Sequence, residues 1–220
     1  MTWALLLIGL LAALDYWRRV TDAPGLARSA VKTVSTAALA MAALSLGAPW
    51  LIALAFALAS LGDLALSRKG AQALQAGLGA FALAHIAFYV AFRQLPGALP
   101  GFDLDAARWA GVVGLIVLAL STALWLLPFT GGMKRAVAAY VAIITVMGFA
   151  ALHLTGGFVW VIPGVALFLA SDLILGVQIF RMAEGTDRHR LASRLVWPLY
   201  WGGQAMIFLG IVNGLGLWGG

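Results

Sequence analysis

The feature that most restricts this chain is its repeated apolar run. Stretches of about twenty residues with almost no charge follow one another, each closed by a short cluster of basic residues or of Pro and Gly. A segment of that length matches the hydrocarbon thickness of a bilayer. Inside it every backbone N–H and C=O must be satisfied by the protein itself, which leaves only helices and closed barrels. The strand-type alternation that a barrel needs is absent. Composition agrees: 63% of the residues are hydrophobic and 10% charged, against about 45–50% and about 25% in soluble domains. The sequence therefore predicts an all-α, polytopic membrane bundle.

Eight helices are predicted, over 2–17, 29–47, 49–67, 72–93, 108–127, 134–153, 158–181 and 194–217. No separate soluble domain fits between them, so residues 1–220 are read as one transmembrane domain. The N-terminus is not read as a cleavable signal, because its charges, "DYWRR", follow the apolar run instead of preceding it. The pair Gly210 and Gly214 in "GIVNG" has the spacing of a close helix contact.

Lys and Arg number 14 against 8 Asp and Glu. In a membrane protein that excess marks loops and is no sign of nucleic-acid binding. Sorted by loop, Arg18, Arg19, Arg28, Arg68, Lys69, Lys134, Arg135, Arg181, Arg188, Arg190 and Arg194 fall on one side, and Arg93 and Arg108 on the other. The basic side is expected to be cytoplasmic and both termini non-cytoplasmic.

Against this background two carboxylates stand out. Asp63 in "LASLGDLALS" and Asp172 in "LASDLILG" lie within spans, where a central Asp costs roughly 2.5–3.5 kcal/mol on insertion scales. The other acidic residues fall in or beside polar loops. Given the orientation, both carboxylates lie in the cytoplasmic half. Lys32, Tyr140, Tyr200 and Gln204 fall at similar depth, with His85 nearer the midplane and Tyr89 one turn further out. The pattern predicts one polar cavity opening toward the cytoplasmic side, with Asp63 and Asp172 as its chemical centre. Each residue also has an ordinary alternative: ion pairing or helix glue for the Asp residues and Gln204, an interfacial belt for the tyrosines, snorkelling for Lys32.

Other chemistries fit poorly. The absence of Cys excludes disulfides and thiol catalysis. A zinc site needs several converging ligands. Of three histidines, His153 lies at an outer helix end and His189 in a loop, so no metal and no other cofactor is expected. No nucleophile-elbow signature is present.

The segments "SLGDLAL", "GLGAFALAHIAFYVAF", "GVALFLASDLILGVQIF" and "WPLYWGGQAMIFLG" together resemble the YhhN family of membrane proteins, the lysoplasmalogenases. The likeness runs from about Lys32 to Gly210. Its matching positions are Lys32, Asp63, Gly77, Phe81, His85, Tyr89, Ser171, Asp172, Tyr200 and Gln204. One departure is visible: where the family usually has Lys-Pro, Lys32 is followed by Thr33. The resemblance implies an ether hydrolase of the inner membrane of a bacterium. Its substrate would be a lysophospholipid whose vinyl ether is cleaved to a fatty aldehyde and a glycerophospho-alcohol. Asp63 and Asp172 would be acid and base, and Lys32, His85, Tyr89, Ser171, Tyr200 and Gln204 would surround the substrate, with Lys32 toward the phosphate; Tyr140 joins them by its depth in the sixth span. The rival reading from another class is a proton-coupled transporter in which the two Asp residues relay protons.

Overall fold

The computed structural model describes residues 1–219. Among them the chain forms eight α-helices: α1 Thr2–Arg18, α2 Leu26–Ser45, α3 Trp50–Leu66, α4 Ala71–Gln94, α5 Ala106–Trp125, α6 Lys134–Leu152, α7 Val161–Arg181 and α8 Asp187–Gly214. Five segments are long and apolar enough to cross a membrane, and α3 is a shorter apolar helix. The helix α2 falls outside that set because Arg28, Lys32 and its Ser and Thr residues lower its hydropathy.

Most sequence neighbours pack as antiparallel pairs, whereas α4 lies against α6 and not α5, and small residues set how close the helices come. A Cβ on Gly203 would lie 2.7 Å from the Gly164 carbonyl oxygen, so α7 and α8 touch backbone to backbone there. The predicted close contact at Gly210 and Gly214 is present. Their faces meet Val161 at the start of α7 and Phe158 in the 3-10 turn, Gly156–Trp160, that precedes it, with no room for a side chain. The interior toward the end away from the basic loops is filled by Ile52, Phe56, Phe88, Phe92, Phe208 and Ile211, none more than 1% exposed.

The largest departure from the predicted boundaries is α8, which begins at Asp187 instead of 194. Its first two turns, "DRHRLASR", are polar and carry no membrane signal, but they have a cap: the Thr186 hydroxyl accepts the His189 N–H at 3.3 Å. Pro198 lies inside α8. It has no N–H to give to the Arg194 carbonyl one turn back, and that carbonyl accepts the Trp17 indole N–H at 3.2 Å. The helix is thereby tied to α1, as it is again where Trp197 donates to the Ala13 carbonyl at 2.9 Å.

At the opposite end the 95–105 loop is stitched to the α6–α7 connection. Thr155 N donates to the Gly97 carbonyl at 2.9 Å and Leu99 N to the His153 carbonyl at 2.8 Å. Asp105 caps α5, accepting the Arg108 N–H at 2.9 Å. That bond, with the Arg108 guanidinium beside it, holds the Asp105 carboxyl below the usual carboxylate range.

Candidate active site

Asp63 is one turn from the end of α3 and fully enclosed, 0% exposed. One of its oxygens, Oδ2, accepts the Thr36 hydroxyl at 2.8 Å and the Tyr200 hydroxyl at 2.7 Å. The other, Oδ1, faces the Lys32 ammonium at 3.3 Å. Lys32 and Thr36 are four residues apart on α2, so they share a helix face and reach Asp63 together. The Lys32 ammonium also sits 5.7 Å from the centre of the Tyr16 ring. The helix runs on past Lys32: the next residue, Thr33, bonds its hydroxyl to the Ser29 carbonyl at 2.9 Å.

Asp172, midway along α7, has different company. It accepts the Tyr140 hydroxyl at 2.6 Å, and its Oδ2 lies 3.7 Å from His85 Nε2. His85 Nδ1 bonds to the Phe81 carbonyl one turn back on α4. A carbonyl only accepts, so Nδ1 carries the hydrogen and Nε2 presents its lone pair toward Asp172. Among the described residues that Nε2 has no hydrogen-bond partner. The Asp172 side chain is 14% exposed, in contrast to Asp63.

Aromatic rings lie between the two clusters. Tyr200 meets Phe81 edge-on at 5.7 Å and Phe168 at 5.2 Å. Phe168 in turn contacts His85 at 4.9 Å. Gly62 makes this possible, because a Cβ there would come within 2.6 Å of the Phe81 ring.

Both clusters border a polar cavity of about 620 Å³ at the basic end of the bundle. Lys32, Asp63, Ser171, Asp172 and Tyr200 line its inner part, and Arg28, Arg68, Lys69, Arg190, Asp22 and Glu184 its mouth. A second, apolar cavity of about 110 Å³ runs between α4, α5, α6 and α7 and reaches Tyr140 and Asp172 from the other side. Phe81 and Asp172 belong to the walls of both.

Of the residues singled out in the sequence, His85, Tyr89 and Gln204 lie outside both cavity walls. His85 stands directly behind Asp172. Tyr89 is partly buried against the apolar core. Gln204 is 0% exposed, and neither its amide nitrogen nor its oxygen has a partner among the described residues. Sequence reasoning missed Thr36 and Tyr16, the aromatic spacer Phe168, and a cluster at the mouth in which Gln178 donates to Ser193 at 2.6 Å and to the His189 carbonyl at 3.1 Å. Only Thr36 had a usable signal, its spacing from Lys32. Among the described residues no three His, Asp or Glu side chains group as a metal site.

No curated protein and no solved structure matches the chain. The segments that carry the site, from α2 through α8, coincide with a family match over residues 27–211. By that match the chain belongs to the YhhN family.

Proposed function

We propose that this protein is a membrane-embedded hydrolase that cleaves the vinyl ether of a lysoplasmalogen to a fatty aldehyde and a glycerophospho-alcohol. The observation that carries the reading is Asp172, partly exposed, at the junction of a polar and an apolar cavity. A single-chain ether lipid has the same division, and the bond to be broken lies where its head and chain meet.

The two carboxyls take unequal parts in this reading. Asp63 has a cation and two hydroxyls around it, an environment suited to a fixed anion. It holds Lys32 and Tyr200 in the cavity wall. Asp172 has one hydroxyl partner and access to the cavity. As the acid, it gives its proton to the β-carbon of the vinyl ether; the C=C electron pair forms the new C–H bond and an oxocarbenium ion results. The new Asp172 carboxylate stabilises the cation, with the rings of Phe81 and Tyr200 in the adjoining wall. Water adds to the α-carbon, and its proton returns to Asp172, which regenerates the acid. Transfer of a proton from the hemiacetal hydroxyl to the ether oxygen breaks the C–O bond. The sum is one water consumed, one aldehyde and one alcohol released. One carboxyl serving first as acid and then as base is familiar from retaining glycoside hydrolysis.

The rival, a proton-coupled transporter, needs a polar route out of the other end. That half of the interior is filled by buried Phe56, Phe88, Phe92 and Phe208, so transport would require this end to open in a second conformation. The test is aldehyde release by purified protein in detergent, given a lysoplasmalogen, an ester lysophospholipid and a saturated alkyl ether lysophospholipid in parallel. Turnover of the first alone supports the reading; turnover of none, with substrate movement only in sealed vesicles, overturns it.

A further inference from the structure

The helix α5 is held unlike the other seven. It packs along α6, and only Val112 and Thr122 of its twenty residues are buried. An apolar seam therefore remains beneath α5, with α4, α6 and α7 as its other walls and α4 and α6 in direct contact, and this seam is the apolar cavity. Leu78, Leu118, Ala119, Val141 and Ile144 are among its walls. Its polar side chains are few: Thr122, Thr145, and Tyr140 with Asp172. The outer face of α5 is apolar and exposed, with Val113, Val117, Leu120 and Leu124 each more than half accessible.

Two features make the seam more than a packing fault. It is continuous with the polar cavity, since Leu66, Leu74, Phe81, Asp172, Leu175 and Ile179 line both. It also brings the Tyr140–Asp172 hydrogen bond into a wall that is otherwise apolar but for Thr122 and Thr145, so the carboxyl of Asp172 stands where the apolar and polar cavities meet.

We propose that the seam between α4, α5, α6 and α7 seats the single aliphatic chain of a glycerophospholipid whose head lies in the polar cavity. This rests on the hydrolase reading for the bond that is cut, but the seat itself does not depend on turnover. The chain passes Phe81 and runs along α5, so the first carbons after the ether oxygen lie against Asp172. A glycerophospholipid with two chains finds one seam and leaves its second chain in a polar cavity, which selects the single-chain form. Chain length is read by the wall at Leu118, Ala119 and Thr122, and the thinly packed α5 is the element that yields to admit a chain from the bilayer.

The test uses the full-length protein and a saturated alkyl ether lysophosphoethanolamine with a diazirine at the chain end, a probe with no vinyl ether to hydrolyse. After irradiation, label is expected on residues of α5 and α6 that face the seam, and a sixteen-carbon unlabelled analogue should abolish it. Label confined to the outer faces of α1 to α3, or label that the analogue leaves unchanged, would overturn the seat. In parallel, Ala119→Trp fills the seam. It is expected to lower kcat/KM for a sixteen-carbon lysoplasmalogen relative to a six-carbon one by at least ~10-fold, the loss expected from excluding two methylenes. An unchanged ratio would also overturn it. Should Ala119→Trp fold poorly, Thr122→Phe makes the same obstruction one turn away. Seam labelling without aldehyde release from any substrate would instead remove the hydrolase reading and leave the chain site standing.

Discussion

Lys32 and Asp63 face each other at 3.3 Å from neighbouring helices, the ammonium 12% exposed and the carboxylate not at all. The sequence reading turned Lys32 toward a substrate phosphate. The structure gives it a partner inside the protein, with its outer side still on the cavity wall. Removing one member of a buried ion pair leaves an uncompensated charge, typically a loss of 3–5 kcal/mol, whereas replacing both is often close to neutral. Lys32→Met and Asp63→Asn are each expected to lower the yield of folded protein and its thermal stability. The double variant should recover much of that loss. Size-exclusion profiles and melting curves in detergent measure it, and a double variant worse than both singles would show that the two charges do not act on each other.

Gly62 and Phe81 supply a second test. Gly62→Ala places a methyl 2.6 Å from the Phe81 ring, and overpacking of this kind usually costs 1–3 kcal/mol. The ring has open volume on its far side, because it lines both cavities. The expected result is modest destabilisation with a larger fall in kcat/KM, as the ring swings into the substrate's place. A second change, Phe81→Leu, should restore stability without restoring full activity. Restored activity would mean that the ring is only filler.

Much of the fold was legible because the membrane restricts it so strongly. Eight spans were predicted and eight helices are found, most ends within two or three residues. One end departs further: the start of α8 lies in polar sequence that hydropathy passes over, and it is set by the Thr186 cap, with Gln178 of α7 bonded to His189 and Ser193 in its first turns. The start of α7 differs by three residues, because a 3-10 turn, Gly156–Trp160, precedes the helix. Depth along a helix was also legible, which is why Lys32, Asp63, Ser171, Asp172 and Tyr200 reach one cavity. Partnership was not. Depth cannot say which face a side chain shares, so Asp63 and Asp172 were read as one pair, whereas each has its own cluster with aromatic rings between. Gln204 and Tyr89 have suitable depth and point elsewhere.

Orientation can be tested directly, because the chain has no native Cys. The positive-inside rule puts the basic end in the cytoplasm. Lys69→Cys and Asp187→Cys are expected to resist an impermeant thiol reagent in intact cells, and Phe102→Cys to react. Lys69 is preferable to its neighbour Gly70, whose φ of 106° would strain any side chain. The reverse labelling pattern would open the polar cavity to the outside and change the side from which a head group arrives.

The unequal roles of the two carboxyls give the sharpest prediction. Asn keeps the shape of Asp and cannot exchange a proton. At 172 the exchange leaves Tyr140 an oxygen to bond and removes no counterion, so folded yield should hold. If Asp172 delivers the proton, kcat falls at least ~100-fold, the lower end of what general acid–base catalysis contributes. Its pH dependence should also flatten, since the titrating acid is gone. Asp63→Asn also lowers kcat, by releasing Lys32 and Tyr200 from the wall, but it leaves the acid in place, so the residual activity should keep the shape of the wild-type pH profile. The doubly substituted enzyme should be little slower than Asp172→Asn alone, because groups that serve one step are not additive. A flattened profile in Asp63→Asn with a normal one in Asp172→Asn would exchange the two roles. Full activity in both would mean that the carboxylates only hold the helices together.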